Sequence, residues 1–147
     1  MPAFLAWKDY YTVHEPSLDA EHKQIIELID SLYLAMQRRA DQHVIGDVLE
    51  RLVRYTMTHF GHEENQMREV GYPELDAHKA CHDRMQERTL ELRTQWDAAS
   101  APEVMRFLKD WWVNHIQGDD KRYAPFMAAA ARMKAGLATS GAEITSV

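Results

Sequence analysis

Histidine and carboxylate side chains recur along this chain at spacings that could hold metal ions. His59 and Glu63 are four residues apart, and His78 and His82 repeat that spacing with two imidazoles. Four residues advance an α-helix by about one turn, so each pair lies on one helix face. Histidine is the commonest metal ligand, and carboxylates bind metals as well. These pairs therefore indicate metal binding.

Two further segments carry the same residue types. His22 lies in an apolar stretch, and His115 is followed five residues later by Asp120. Five residues turn a regular helix by roughly 140° away from one face. Gly118 lies between His115 and Asp120, so we expect a π-bulge there that returns Asp120 to the side of His115.

Each feature also has an explanation that requires no metal. A single histidine on an apolar face is usually a hydrogen-bonded core residue, and one His-x3-His or His-x3-Glu pair is only moderately specific. Five imidazoles and two carboxylates inside one domain are harder to explain without a cation, because buried polar groups without partners cost several kcal/mol each.

The number of these groups favours two metal ions over one. Seven ligand groups overfill a single tetrahedral zinc site, whereas the two carboxylates can bridge a pair of metals. Imidazole ligands are compatible with iron, copper, nickel and zinc, so they do not identify the metal. The predicted ligands are His22, His59, Glu63, His78, His82, His115 and Asp120.

The elements that must position these residues are helices. Apolar residues recur at three- and four-residue steps over 17–36, 44–70, 75–96 and 102–115, and short polar or Gly- and Pro-containing joints separate the four stretches. Short loops between long helices predict an all-α fold, an up-down-up-down antiparallel four-helix bundle.

The ends of the chain are expected to differ from the bundle. We divide the chain into an irregular N-terminal arm at 1–16, the bundle at 17–133 including a short C-terminal helix, and a flexible tail at 134–147. Ser17 is an N-cap candidate for the first helix, and Ser100 with Glu103 would form a capping box on the fourth.

Composition excludes several classes of protein. The chain has 147 residues and a formal net charge of -6, so no basic face is available to neutralise the phosphates of a nucleic acid. No apolar run approaches the roughly 20 residues that span a bilayer. Cys81 is the single cysteine and cannot form an internal disulfide, which favours a reducing, cytoplasmic location.

The chain resembles the hemerythrin family, in particular its single-domain bacterial members. The resemblance covers nearly the whole chain, from about Trp7 to Met127, and all seven ligand positions of the family are filled at the expected spacings. It rests on Trp7 and on the segments 18–23, 59–67, 71–82 and 111–123.

The resemblance implies a cofactor of two iron ions, Fe2+ or Fe3+, with an oxo or hydroxo bridge. One iron would be held by three imidazoles, those of His78, His82 and His115. The other would be held by His22 and His59, and it would keep an open position for dioxygen. The bridging carboxylates would be Glu63 and Asp120.

The function implied is reversible binding of dioxygen for carriage, storage or delivery, without enzymatic turnover. Imidazoles outnumber carboxylates here, unlike in ferritin-like di-iron enzymes, and neutral ligands favour binding over turnover. Dioxygen is then the partner, with no obligatory protein partner and a monomer allowed. The alternatives are a di-iron enzyme acting on peroxide, nitric oxide or dioxygen, and an oxygen or redox sensor module.

Four residues with reactive side chains fall outside this set. His14 and His43 lie in segments that read as exposed loops. His62, adjacent to Glu63, is expected to face solvent or an interface. Cys81 precedes a predicted ligand but points another way on its helix, as a buried bystander.

Overall fold

A computed structural model of the protein describes residues 3–97 and 99–145, and these residues form helices and no strands. The predicted all-α four-helix bundle is confirmed. A π-helical segment links the last two α-helices without a break, so together they form the fourth member of the bundle. The elements are α1 (Pro16–Gln37), α2 (Gln42–Glu69), α3 (Leu75–Gln95), α4 (Ala101–Asn114), the π-helical segment (His115–Asp120) and α5 (Lys121–Thr145).

The start of α1 is set by residues just before the predicted cap. Pro16 occupies the first helical position, where its missing N–H costs nothing. The Glu15 carboxylate accepts a hydrogen bond from the backbone N–H of Leu18, at 3.1 Å. Ser17, predicted as the cap, instead hydrogen-bonds through its hydroxyl to Glu15. A carboxylate therefore caps α1 in place of the serine.

The capping box predicted at α4 is not formed. The Ser100 hydroxyl donates to the backbone carbonyl of Asp97 at 3.0 Å and accepts the Asp97 N–H at 2.9 Å. These bonds close the turn before α4, so the hydroxyl makes no hydrogen bond to the helix N-terminus. Pro102, within the first turn, fits the start of the helix without that cap.

The N-terminal arm packs against α1. The Phe4 ring stacks on Tyr33, with 4.2 Å between centroids, and the backbone N–H groups of Phe4 and Leu5 donate to Asp30 Oδ1. A 3-10 turn at Asp9–Tyr11 breaks the otherwise irregular arm. The arm therefore covers the outer side of the helix that carries His22.

The C-terminal helix is longer than the short one expected. α5 continues to Thr145 and so enters the range 134–147 predicted as a tail. The run of four alanines at 128–131 has high helix propensity and carries the helix onward. Side chains over 131–137 are exposed, so this part adds little to the core. The division into arm, bundle and tail stays a prediction.

Buried polar residues are concentrated at one place inside the bundle. Apolar residues such as Ile29, Leu49 and Leu108 form the larger core cluster, and Val13 and Met67 belong to a smaller one. Besides these, nine polar or charged residues are buried among those described. Seven of the nine are the predicted ligands, and the other two are threonines. None of the described helices combines the length and apolar character needed to cross a membrane.

Candidate metal centre

All seven predicted ligands meet inside the bundle. Each is at most 5% exposed. The predicted π-helical turn is present, and it brings Asp120 Oδ1 to 3.1 Å from His115 Nε2. The contributing elements are α1 with His22, α2 with His59 and Glu63, α3 with His78 and His82, and the π-helical segment with His115 and Asp120.

The Glu63 carboxylate lies at the centre of the cluster and faces histidines on both sides. Its Oε1 atom is 2.9 Å from His78 Nε2 and 3.0 Å from His82 Nε2. Its Oε2 atom is 3.1 Å from His22 Nε2 and 3.2 Å from His59 Nε2. Each of the two Glu63 oxygens therefore faces a different set of histidines.

Asp120 divides its oxygens in the same way. Its Oδ1 atom is 3.1 Å from the Nε2 atoms of both His78 and His115. Its Oδ2 atom is 3.2 Å from His22 Nε2. The two carboxylates thus span two neighbouring donor groups, one with three imidazoles and one with two.

The unpaired atoms of the cluster fit a pair of metal ions. Both Asp120 oxygens and His59 Nε2 are buried without a hydrogen-bond partner among the described atoms. His82 Nε2 and His115 Nε2 are 3.1 Å apart, although each ring hydrogen-bonds a carboxylate through its Nδ1 atom. With the Nδ1 atoms protonated, two nitrogen lone pairs would face each other, and a cation between them removes that repulsion.

In the metal-free protein, protons take the place of such cations. Burial lowers the pKa of His22 and His78, but the negative charges of Asp120 and Glu63, whose oxygens lie within 3.2 Å of both rings, overcome it and raise each pKa to about 9. Burial and the charge of Glu63 would raise the pKa of Asp120, yet the neighbouring imidazoles, His115 first, hold it well below its usual range. The metal-free cluster is therefore a network of carboxylates and imidazolium groups.

A second layer of carboxylates orients three of the imidazoles, and sequence reasoning missed it. Such bonds fix the ring and place its proton on Nδ1, leaving Nε2 free to bind metal. Each outer carboxylate directly neighbours a predicted ligand in sequence, and this adjacency could have revealed it. The pairs are His59 Nδ1 with Glu21 at 2.8 Å, His82 Nδ1 with Glu64 at 2.9 Å, and His115 Nδ1 with Asp119 at 3.0 Å.

Tyr123 holds the central carboxylate from the remaining side. Its hydroxyl donates to Glu63 Oε2 at 2.8 Å, and the side chain is fully buried. Burial, with the charges of Asp120 and Glu63, raises the pKa of this phenol well above its usual value. Tyr123 therefore keeps its proton and acts as a hydrogen-bond donor to the cluster.

Aromatic rings separate the histidines from solvent. Phe60 stacks on His82 with centroids 3.8 Å apart, and Trp111 stacks on His115 at 4.3 Å. Trp112 is buried and packs against Phe60 at 5.6 Å. The walls of the site on this side are apolar, which strengthens the electrostatic interactions inside it.

The histidines outside the set behave differently from one another. His14 and His43 are exposed, as expected, and His14 has a φ of 61°. His62 was expected to face solvent or an interface, but its side chain is only 33% exposed. Its Nδ1 atom lies 2.7 Å from Glu21 Oε2, so His62 is tied to the outer layer of the site.

Cys81 also lies nearer to the site than its sequence position suggested. Its thiol is half-buried, with Sγ 3.6 Å from Asp119 Oδ2 and 3.7 Å from His115 Nδ1. The thiol therefore contacts the carboxylate that orients His115, on the side of the ring opposite the cluster.

The fold and the site together define a metal-binding four-helix bundle with two adjacent, carboxylate-bridged positions. A sequence model of the hemerythrin HHE cation binding domain matches residues 15–127. The chain belongs to this family.

Individual relatives agree with this assignment. The chain is 39% identical over 127 residues to a bacteriohemerythrin of Stenotrophomonas maltophilia (strain R551-3), which covers 83% of this chain and 80% of that protein. It is 31% identical over 123 residues to a myohemerythrin of Theromyzon tessulatum, covering 84% and 93%. A crystal structure of wild-type hemerythrin superposes with a TM-score of 0.77 at 31% identity, covering 86% of this chain and 99% of that one.

Family membership also gives the class of activity. Hemerythrins are oxygen-binding proteins with a di-iron centre and are not enzymes, and the buried cluster suits two metal ions. The di-iron cofactor and the oxygen-binding function expected from the resemblance are thereby confirmed. The family binds dioxygen.

Proposed function

We propose that the seven clustered residues are the iron ligands and that they divide unequally between two irons. His78, His82 and His115 would hold one iron, and His22 and His59 the other. The two-histidine iron would keep the position at which dioxygen binds. The bridging ligands would be Glu63 and Asp120.

One observation carries this assignment: each bridging carboxylate divides its two oxygens between the two histidine sets. Glu63 Oε1 faces His78 and His82, whereas Glu63 Oε2 faces His22 and His59. A carboxylate that served a single metal or a structural ion pair would have no reason to contact two separate nitrogen groups at similar distances. The division therefore supports a bridged pair.

The irons, when bound, supply the electrons that dioxygen takes up and returns. The residues of the chain determine where this happens. The imidazoles and the two shared carboxylates would hold the irons, and the outer carboxylates Glu21, Glu64 and Asp119 orient three of the rings. Phe60 and Trp112, both buried, exclude bulk water, which suits binding and release over hydrolysis or proton-driven turnover.

Metal content and an optical spectrum test the assignment. Protein purified with iron should hold two irons per chain, and the reduced form should gain a charge-transfer band in air that disappears under vacuum. His82→Ala should lose at least roughly half of the iron and most of the band, because the three-histidine position then lacks one of its nitrogens. Elemental analysis measures the iron content, and absorbance spectra are recorded before and after the reduced protein is exposed to air.

His43→Ala is the matched control, because His43 is exposed at the start of α2 and touches none of the cluster. It should keep both irons and the full band. Iron-replete protein with one iron or none, or a His82→Ala variant with the full spectrum, would contradict the assignment. Rapid irreversible oxidation with consumption of peroxide would favour the enzyme alternative.

The proposed setting is the cytoplasm, without a nucleic-acid, membrane or obligatory protein partner. The net charge of -6 supports the first of these exclusions, because phosphate binding needs a basic face. The lone Cys81, which cannot form an internal disulfide, supports a reducing compartment. Sedimentation of the iron-loaded protein would test whether it is a monomer.

A further inference from the structure

Glu21 connects the buried site to a second, outer histidine. Its Oε1 atom is 2.8 Å from His59 Nδ1, and its Oε2 atom is 2.7 Å from His62 Nδ1. The side-chain exposures are 0% for His59, 23% for Glu21 and 33% for His62. The three groups therefore form a hydrogen-bonded chain from a buried ring to the protein surface.

The proton positions in this chain follow from the partners of each atom. The Glu21 carboxylate can only accept, so the Nδ1 atom of His59 carries the proton that Glu21 accepts. His62 donates from Nδ1 to the other Glu21 oxygen. Its Nε2 atom is 3.2 Å from the side-chain nitrogen of Gln66, which can only donate. Both oxygens of Glu21 therefore accept a hydrogen bond from an imidazole N–H, one from each of the two histidines.

This arrangement is particular to one of the two metal positions. The three-histidine position has two outer carboxylates, Glu64 on His82 and Asp119 on His115. At the two-histidine position, Glu21 orients His59, while the Nδ1 atom of His22 has no hydrogen-bond partner in the described part of the chain. Any change in Glu21 therefore acts on that position without compensation from a second carboxylate.

Glu21 is held by two imidazoles, one on each oxygen of its carboxylate. A glutamate side chain has several rotatable bonds and, at the rim of a bundle, can turn toward water. Hydrogen bonds from His59 and His62 to its two oxygens prevent that rotation from both sides. Without the hydrogen bond from His62, only His59 would hold the Glu21 carboxylate, and water could compete for the other oxygen.

We propose that Glu21 and His62 are positioning residues for the iron held by His22 and His59. His62 anchors Glu21, and Glu21 in turn increases the donor strength of His59 and stabilises the oxidised state of that iron. The inference rests on the ligand assignment under Proposed function. An imidazole whose N–H is held by a carboxylate is a stronger metal ligand, and losing such a partner costs about 10- to 100-fold in metal affinity or activity.

The reduction potential of the di-iron centre and its iron stoichiometry are the measurements. Glu21→Gln should raise the potential, because the neutral amide withdraws less of the His59 proton. His62→Ala should shift it in the same direction, since a mobile Glu21 holds the ring less well. A tenfold change in the one-electron equilibrium corresponds to a shift of about 59 mV. Both variants should bind the second iron about tenfold more weakly.

Rescue and non-additivity separate positioning from a general structural effect. His62→Gln supplies an amide N–H that can donate to Glu21, so its potential should return toward that of the unmodified protein. In a Glu21→Ala background, His62→Ala should add no further shift, because the residue through which it acts is gone. Additive shifts of the two substitutions, or failure of His62→Gln to restore the potential, would overturn the role of His62.

The controls distinguish this inference from the ligand assignment. His43→Ala, on the same helix and exposed, should leave the potential unchanged. Unmodified protein that fails to bind two irons contradicts the ligand assignment itself. Two irons in the unmodified protein, together with an unchanged potential in both Glu21→Gln and His62→Ala, would overturn the positioning role and leave the assignment intact.

Discussion

Tyr123 shows how one side chain can secure a buried charge at the residue scale. Both oxygens of the central Glu63 carboxylate contact imidazole nitrogens, and the phenol of Tyr123 donates a further hydrogen bond at 2.8 Å. Burial and nearby negative charge raise the pKa of the phenol, so this donor is not lost at moderately alkaline pH. The bond gives the buried Glu63 carboxylate a neutral donor in addition to the imidazoles.

Tyr123→Phe should therefore destabilise the metal-free protein. The substitution leaves a buried carboxylate oxygen without its neutral donor, a loss that typically costs about 1–3 kcal/mol. Urea unfolding of the metal-free protein measures the change in the free energy of unfolding. Tyr10→Phe is the control, because Tyr10 is 59% exposed and should change stability little. Equal stability of the two variants would mean that Tyr123 does not support Glu63.

At the scale of the helical element, the π-helical segment carries the geometry of the fourth bundle member. The five-residue step from His115 to Asp120 predicts this segment, and the sequence places Gly118 within it. Gly118 has no positive φ, however, and a Cβ atom there would meet nothing within 4 Å. The extra residue in the turn, and not the glycine, creates the bulge.

Gly118→Ala should consequently stabilise the protein and preserve the centre. Alanine fits the helical backbone and restricts the unfolded chain, an effect worth about 0.4–1 kcal/mol. Thermal or urea unfolding gives the stability, and elemental analysis should still find both irons. Gly71→Ala makes a useful contrast, since Gly71 ends α2 with a φ of 72° and alanine there is strained. A loss of iron in Gly118→Ala would restore the glycine to a functional role.

Helix periodicity explains why the bundle and the inner ligands were predictable from the sequence. His59 with Glu63 and His78 with His82 recur at one turn, so a regular helix necessarily presents each pair together. Even the irregular step to Asp120 was informative, because only a wider turn could bring it back to the cluster. These inferences need the geometry of one helix at a time.

Two of the three outer pairs were not predictable in this way because they join different helices, whereas His115 and Asp119 share the π-helical segment. Glu21 is next to His22 on α1 but binds His59 and His62 on α2. Which neighbouring helix a flanking carboxylate reaches depends on helix rotation and spacing, which a single periodic pattern does not specify. The predicted capping box is absent for a different, local reason: at Ser100, a turn to Asp97 competes with it.

For the whole molecule, the buried cluster couples stability to pH. His22 and His78 have an ordinary pKa of 6.5, and in the folded metal-free protein each is about 9. Folding therefore favours their protonated forms, and the stability they contribute is fully present below pH 6.5 and lost as the pH rises through about 9. Glu63 and Asp120 have lowered pKa values, so their contribution is lost as the pH falls below about 4.5.

Metal-free protein should then be most stable between about pH 4.5 and 6.5 and lose roughly a few kcal/mol by pH 9. Iron-loaded protein should instead keep a nearly constant stability above pH 6.5, because neither its metal-bound imidazoles nor those of the unfolded chain carry the extra protons there. Its imidazoles must be neutral to bind metal, so protons compete with iron, and the stability that iron adds grows as the solution becomes more alkaline.

Urea unfolding of both forms across this range measures the two slopes, and calorimetry in buffers of different ionisation heat should detect proton release on metal binding below pH 9. Parallel pH profiles for the two forms would show that protons and metals do not share these side chains.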